Sequence, residues 1–275
     1  MSVSTDECLT IRVADRVAWV TILHPPMNLL DSVMIGALGR ATKSLGEDPG
    51  VGAVVIQSGD PDFFIAHADI NLVLGPSVAG QGTGPSPFHT TLLQFRQMPK
   101  PTIGKINGIA RGGGLELLAA LDMRFCSLEN TRLSQPEVPL GIVPAGGGSS
   151  RWPRLIGYPR AVELLLSGMD IDGVIAEKYG VVNRAMPSAE LDAFVDGLAR
   201  RIASFPPHAV ELTKRVACCE GTLDEALEME AKAYAQAARD PAAITIMRSY
   251  TQGGGQTREN EIGADPFAGL GSGRV

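Results

Sequence analysis

Five kinds of signal are missing from this 275-residue chain, and each absence narrows the reading. Its four cysteines, Cys8, Cys126, Cys218 and Cys219, form no C-x-x-C pair and show no zinc-type spacing, so reduced thiols in a cytosolic (cytoplasmic) protein with no metal are expected. Apolar runs such as 117–121 fall far short of the ~20 residues that cross a bilayer. The first ten residues place no basic region before an apolar stretch, so neither a secretion signal nor a membrane anchor is expected. Basic excess is absent too: 24 Lys and Arg face 30 Asp and Glu, a formal charge of −6, which argues against a protein that coats nucleic acid or anionic lipid. No G-x-x-x-x-G-K-[ST] occurs and no G-x-G-x-x-G follows an opening strand, so nucleotide hydrolysis and NAD chemistry are poor readings.

What is present is apolar content of 44%, enough for a large core. Residues 9–13 and 17–22 read as a β-hairpin, 32–47 as a helix closed by Pro49 and Gly50, and 53–56 as a buried strand. The stretch 59–70 reads as loop, and 75–87, rich in Gly, Pro and Ser, as a mobile segment. A helix near 88–97 leads to a strand over 100–106 that is expected to run directly into a glycine turn and a helix over 113–121. After a strand at 123–127 and a loop over 136–148, helical spacing dominates at 160–166, 173–179, 190–203, 209–217 and 223–239. The order implies an α/β core over 1–200 and a helical region over 201–275, with a loose tail from Thr251 onward.

The most informative segment is Arg111-Gly112-Gly113-Gly114-Leu115-Glu116, with a second glutamate in Gln135-Pro136-Glu137. Glycines at a helix start let a ligand approach the backbone and leave N–H groups free, where aligned peptide dipoles favour negative charge. Glu116 sits among Leu115, Leu117, Leu118 and Ala119, an expensive place for a carboxylate without a purpose. Two nearby carboxyls resist ionising together, so one can serve as acid while the other serves as base.

Three segments resemble, in order, the enoyl-CoA hydratase/isomerase (crotonase) family. Residues Phe64-Ile65-Ala66-His67-Ala68-Asp69-Ile70 are similar to its F-x-A-G-A-D-[IL] loop. Lys100-Pro101-Thr102-Ile103 through Asn107-Gly108-Ile109-Ala110-Arg111-Gly112-Gly113-Gly114-Leu115-Glu116 resembles its K-P-x-I…N-G-x-A-x-G-G-G-x-E segment. Ser134-Gln135-Pro136-Glu137 through Gly147 resembles its Q-P-E-x-x-L-G-x-x-P-x-G-G element. The resemblance implies a spiral of ββα units with a helical C-terminal trimerisation region, assembled as a homotrimer or a homohexamer. It implies an acyl-CoA substrate whose thioester carbonyl sits between the N–H groups of Ala68 and Gly113, with Glu116 and Glu137 catalytic. Substrate contacts would come from Ala66, His67, Asp69, Ile70, Asn71 and Ala145, with no separate cofactor because coenzyme A is part of the substrate.

Two carboxylates favour hydration of a 2-enoyl-CoA over isomerisation, which often manages with one. Isomerase, thioester hydrolase and decarboxylase reactions could use the same oxyanion hole, and an RNA- or CoA-binding relative is the reading from another class. Two departures stand out. His67 replaces the glycine usual before the oxyanion alanine, where it either bonds substrate or water or points away. The family's basic and aromatic ending is not visible in 247–261. Arg151, Arg154 and Arg160 are candidates for a CoA phosphate or for surface pairing, and His24, His89 and His208 read as surface or packing residues.

Overall fold

The computed structural model describes residues 2–75 and 84–262. The N-terminal meander consists of β1 (Ser2–Asp6), β2 (Leu9–Ala14) and β3 (Val17–Ile22), all antiparallel. Helix α1 (Ser32–Glu47), capped by the Asp31 side chain on the Met34 N–H, then returns the chain to β4 (Ala53–Ser58), parallel to β3.

From β4 onward the chain winds as a spiral in which each turn contributes one strand to each of two sheets before a helix. The turns are β4, β5 (Phe63–Ile65), α2 (Ile70–Leu74) and α3 (Pro87–Gln97); β6 (Thr102–Ile106), β7 (Ile109–Arg111) and α4 (Gly113–Ala120); and β8 (Met123–Ser127), β9 (Arg132–Ser134) and α5 (Gly148–Ile156). A 3-10 turn, Val138–Leu140, precedes α5. The chain continues through α6 (Tyr158–Ser167), β10 (Ile171–Asp172), α7 (Gly173–Tyr179) and β11 (Arg184–Met186). The larger sheet has the order β1-β2-β3-β4-β6-β8-β11 and the smaller β10-β9-β7-β5. Both expectations, an α/β fold and a ββα spiral, are met. Beyond it lie α8 (Ser188–Ala203), α9 (Pro207–Ala217), α10 (Leu223–Ala238), α11 (Pro241–Gln252) and α12 (Arg258–Ile262).

Alternation along the strands splits the core. Ala18, Val20, Ile22, Val54, Ile56 and Ile106 face the main core with α1, α3 and α4. Val17, Trp19, Ala53, Val55, Ile103 and Phe125 face the other way, where Leu191, Val195, Ala199 and Ala203 of α8 cover them. Both faces of the parallel strands are therefore dry, which explains their continuous apolar runs.

The structure corrects several sequence expectations. The strand at 100–106 does not run directly into the glycine turn: Asn107-Gly108 breaks it and sends Ile109–Arg111 into the smaller sheet. Gly108 has φ +148°, and a Cβ there would lie 2.6 Å from the Asp62 carbonyl oxygen. The expected loop 59–70 contains β5 and meets α2 at its end, and the tail expected from Thr251 begins within α11 and contains α12. Strands β5, β7, β9, β10 and β11 have two or three residues each, too few to display an alternation. The mobile reading of 75–87 and the loose-tail reading fall largely on 76–83 and 263–275, outside the described residues.

Candidate active site

Helix α4 carries Glu116 in its first turn, and every residue of the helix is buried. Such a helix lacks a solvent face, so its ends need partners inside the protein. At the C-terminal end the buried Arg124 supplies them, donating to the carbonyls of Leu118 at 3.2 Å and Leu121 at 2.8 Å, and to Val181 at 2.7 Å. Burial brings that guanidinium down to about 10. At the N-terminal end Gly112, with φ +51°, caps without a side chain.

Glu116 is 4% exposed, and its Oε1 accepts from the N–H of Gly146 at 2.7 Å and of Gly148 at 2.8 Å. Burial pushes its carboxyl upward, against those two hydrogen bonds and the charge of Arg151. With Oε1 fully engaged, Oε2 is the oxygen left to act. A Cβ on Gly146 would meet Oε2 itself and the Phe88 ring at 2.5 Å, so the glycine there is a steric requirement of this carboxylate.

Glu137 precedes the 3-10 turn, next to the same helix start. Its Oε1 lies 2.8 Å from where a Gly112 Cβ would stand. Burial, then the charge of Glu116, raise its carboxyl to about 7. With its amide nitrogen turned toward Glu137, as the hydrogen-bond pattern requires for the ionised acid, Gln135 donates to Oε2 at 3.1 Å and Oε1 at 3.3 Å. One carboxyl is thus clamped by two N–H groups, and the other balances near neutrality.

Leu30 shapes the opposite wall by pairing with the 67–69 backbone as a parallel bridge: its N–H donates to the His67 carbonyl and its carbonyl accepts from the Asp69 N–H, both at 2.9 Å. Among the described residues, the N–H groups of Ala68 and Gly113 meet no acceptor. The two residues are neighbours, since a Cβ on Gly113 would stand 3.8 Å from the Ala68 Cβ. Two free donors, side by side beside two carboxyls, form a place where a developing oxyanion would be stabilised.

The other sequence-derived candidates divide. Ala66 is buried, with its N–H on the Met27 carbonyl at 3.3 Å. Asp69 caps α2 by accepting from the Asn71 N–H at 2.9 Å and its side-chain amide at 3.1 Å, so these two polar side chains satisfy each other. Ile70 is exposed, and Ala145 is exposed on the loop beside Gly146. Arg151 donates to the Gly146 carbonyl and Arg154 to the Ser150 carbonyl, while Arg160 lies over the Tyr179 ring. His24 bonds Asp31 at 2.9 Å and His89 completes the Ser86 cap of α3, both local structural roles.

Sequence reasoning missed Gly146 and Gly148 as the partners of Glu116. Their signal was the glycine run at the start of α5, whose free N–H groups suit an anion of the protein's own as well as a ligand. Leu30 and Phe88 gave no signal, because an apolar residue in an amphipathic pattern looks like core wherever it sits. A surface groove of about 740 Å³ beside α9, lined by Arg96, Asp122, Phe205, Val210 and Lys214, contains none of the site residues.

The family model for enoyl-CoA hydratase/isomerase matches residues 12–244. A Mycobacterium bovis protein named as a probable enoyl-CoA hydratase is 30% identical over 233 residues, 84% of this chain and 89% of that one. The fatty acid oxidation complex subunit alpha of Aliivibrio fischeri is 37% identical over 178 residues, 63% of this chain but 26% of that longer protein. The crystal structure of the Geobacillus kaustophilus enoyl-CoA hydratase superposes with a TM-score of 0.87 at 28% identity, covering 93% of this chain and 97% of the other. The chain belongs to the enoyl-CoA hydratase/isomerase, or crotonase, family.

Proposed function

We propose that the protein adds water across the 2,3 double bond of a 2-enoyl-CoA thioester. The observation that carries this reading is the unequal pair of carboxyls: Glu116, with Oε1 held by two N–H groups, and Glu137, raised to about 7. Attack at C3 drives negative charge onto the thioester oxygen. The Ala68 and Gly113 N–H groups would receive it, each worth about 3–4 kcal/mol by analogy with oxyanion-hole deletions. Glu116 orients water and takes one of its protons through Oε2 as the oxygen bonds to C3, while Glu137 delivers a proton to C2 of the resulting enolate. Electrons move from the water oxygen to C3 and from the double bond through the enolate to the new C2–H bond. Ala66, His67, Asp69, Ile70, Asn71 and Ala145 line the thioester path, and coenzyme A enters and leaves as part of the substrate.

The assembly we propose is a homotrimer or a homohexamer. Its support is an apolar surface next to Glu137: Leu140, Val143, Leu166 and Met169 are between 60% and 68% exposed, and Gly168 stands against Pro139. Among the described residues no helix is long and apolar enough to cross a membrane. Cytoplasmic residence fits the free cysteines.

The test is loss of the enoyl absorbance of crotonyl-CoA, with product analysis, for the wild type, Glu116→Gln and Glu137→Gln. Hydration that collapses in both variants with CoA binding intact supports the assignment. Migration of a double bond without a 3-hydroxy product would transfer the site to isomerisation.

A further inference from the structure

Ala68 lies between two peptide planes, and together these planes carry four polar groups. Three are held by the protein. The His67 carbonyl accepts from the Leu30 N–H at 2.9 Å, and the Asp69 N–H donates to the Leu30 carbonyl at 2.9 Å. The Ala68 carbonyl is bonded to the His67 Nδ1 at 2.8 Å. The fourth group, the Ala68 N–H, meets no acceptor among the described residues. A carbonyl only accepts, so Nδ1 carries the proton in this contact, in the neutral ring and in the cation alike.

We infer that His67 is a positioning residue that clamps the Ala68–Asp69 peptide and so fixes the direction of the Ala68 N–H. The inference rests on the oxyanion-hole reading of that N–H. A peptide plane rotates like a crankshaft when the torsions on either side of it change in opposite senses, and the neighbouring plane must take up the difference. Here that neighbour is held at both ends, by the imidazole and by Leu30, so rotation of the donor requires breaking a bond. A glycine at 67 would remove the imidazole contact and widen the torsions available beside the donor. An oxyanion donor stabilises a transition state best when it is already aimed, so a loose N–H forfeits part of its effect. The histidine thus acts on the reaction through the backbone, and its Nδ1 is not available to substrate.

Three substitutions separate the ring nitrogens. Asparagine places its amide nitrogen where Nδ1 stands; glutamine places one near the outer Nε2; glycine offers neither. Three readouts follow: amide hydrogen exchange of 67–70 in the free enzyme, the absorbance shift of bound 4-(dimethylamino)cinnamoyl-CoA, which reports carbonyl polarisation, and kcat and KM with crotonyl-CoA.

His67→Gly is expected to speed Asp69 N–H exchange by about tenfold or more. It is also expected to reduce the absorbance shift and lower kcat by about tenfold with KM nearly constant. His67→Asn should recover most of each loss and His67→Gln should not. Unchanged Asp69 exchange in His67→Gly overturns the clamp, as does recovery by glutamine and not by asparagine, which would place the outer nitrogen on the substrate. Exchange is read without ligand, so the clamp is judged even if the wild type neither shifts the chromophore nor hydrates crotonyl-CoA, the result that would sink the hydratase reading alone.

Discussion

The N–H of Gly146 donates to Glu116 Oε1 at 2.7 Å, so the loop between β9 and α5 fixes the carboxylate carried by α4 of the preceding turn. A methyl group at 146 would press on Oε2 and on the Phe88 ring. Gly146→Ala is therefore expected to reduce kcat by about a hundredfold, since displacement of a reacting group by ~1 Å has effects of that size. Far-ultraviolet dichroism should remain that of the wild type, which separates a displaced carboxylate from a lost fold.

Gly112 provides the matching test for the second carboxyl. Its φ of +51° is strained for any residue with a Cβ, and that Cβ would lie 2.8 Å from Glu137 Oε1. With ψ at −120° as well, Gly112→Ala should cost about 1–3 kcal/mol in denaturant unfolding from the backbone alone. Its kcat should fall much further than that loss explains, because Glu137 must move. Activity retained at the wild-type level would show that the position of Glu137 does not matter to the reaction.

The sequence displayed the long elements and the chemistry but not the joints. Helix 32–47 and strand 17–22 were legible to the residue, because a helical apolar period closed by Pro49 and Gly50 and a run of β-favouring residues each extend over several positions. The two- and three-residue strands that build the smaller sheet were not, since their pairing comes from the winding of the spiral. Glu116 and Glu137 could be named from glycine and proline punctuation, yet their inequality depends on Gly146, Gly148 and Gln135, partners set by tertiary approach. His67 was visible as a departure, but only the folded loop shows which nitrogen is committed and to what.

Arg124 ties the stability of the site helix to a single buried cation. It holds the carbonyls of Leu118, Leu121 and Val181, and truncation would remove three hydrogen bonds, leaving the Leu121 and Val181 carbonyls without this donor and Leu118 with the Leu121 N–H alone. At about 1 kcal/mol for each bond lost, Arg124→Ala is expected to destabilise the fold by roughly 3 kcal/mol, and more where an acceptor stays dry. Urea unfolding measures this directly. A midpoint unchanged from the wild type would mean that water reaches the end of α4.

Glu137 links activity and stability through one proton. Its carboxyl is raised from 4.5 to about 7 by burial and by the charge of Glu116. With Glu137 as the acid and Glu116 as the base, kcat/KM should fall by about tenfold per unit of pH above about 7, and fall again at low pH once Glu116 takes up a proton. Stability follows the same proton with a different window. Between 4.5 and about 7 the unfolded chain releases the proton while the folded protein keeps it, so the folded state binds more protons and stability falls as pH rises through that range. Above it both states are ionised and the loss is complete. Glu137→Gln has nothing to ionise, so its melting temperature relative to the wild type should climb from pH 4.5 to 7 and then level off, with its residual activity losing the alkaline limb. Parallel melting curves for the two proteins across that range would show that the carboxyl titrates at its ordinary value in the folded state, which would remove Glu137 as the proton donor.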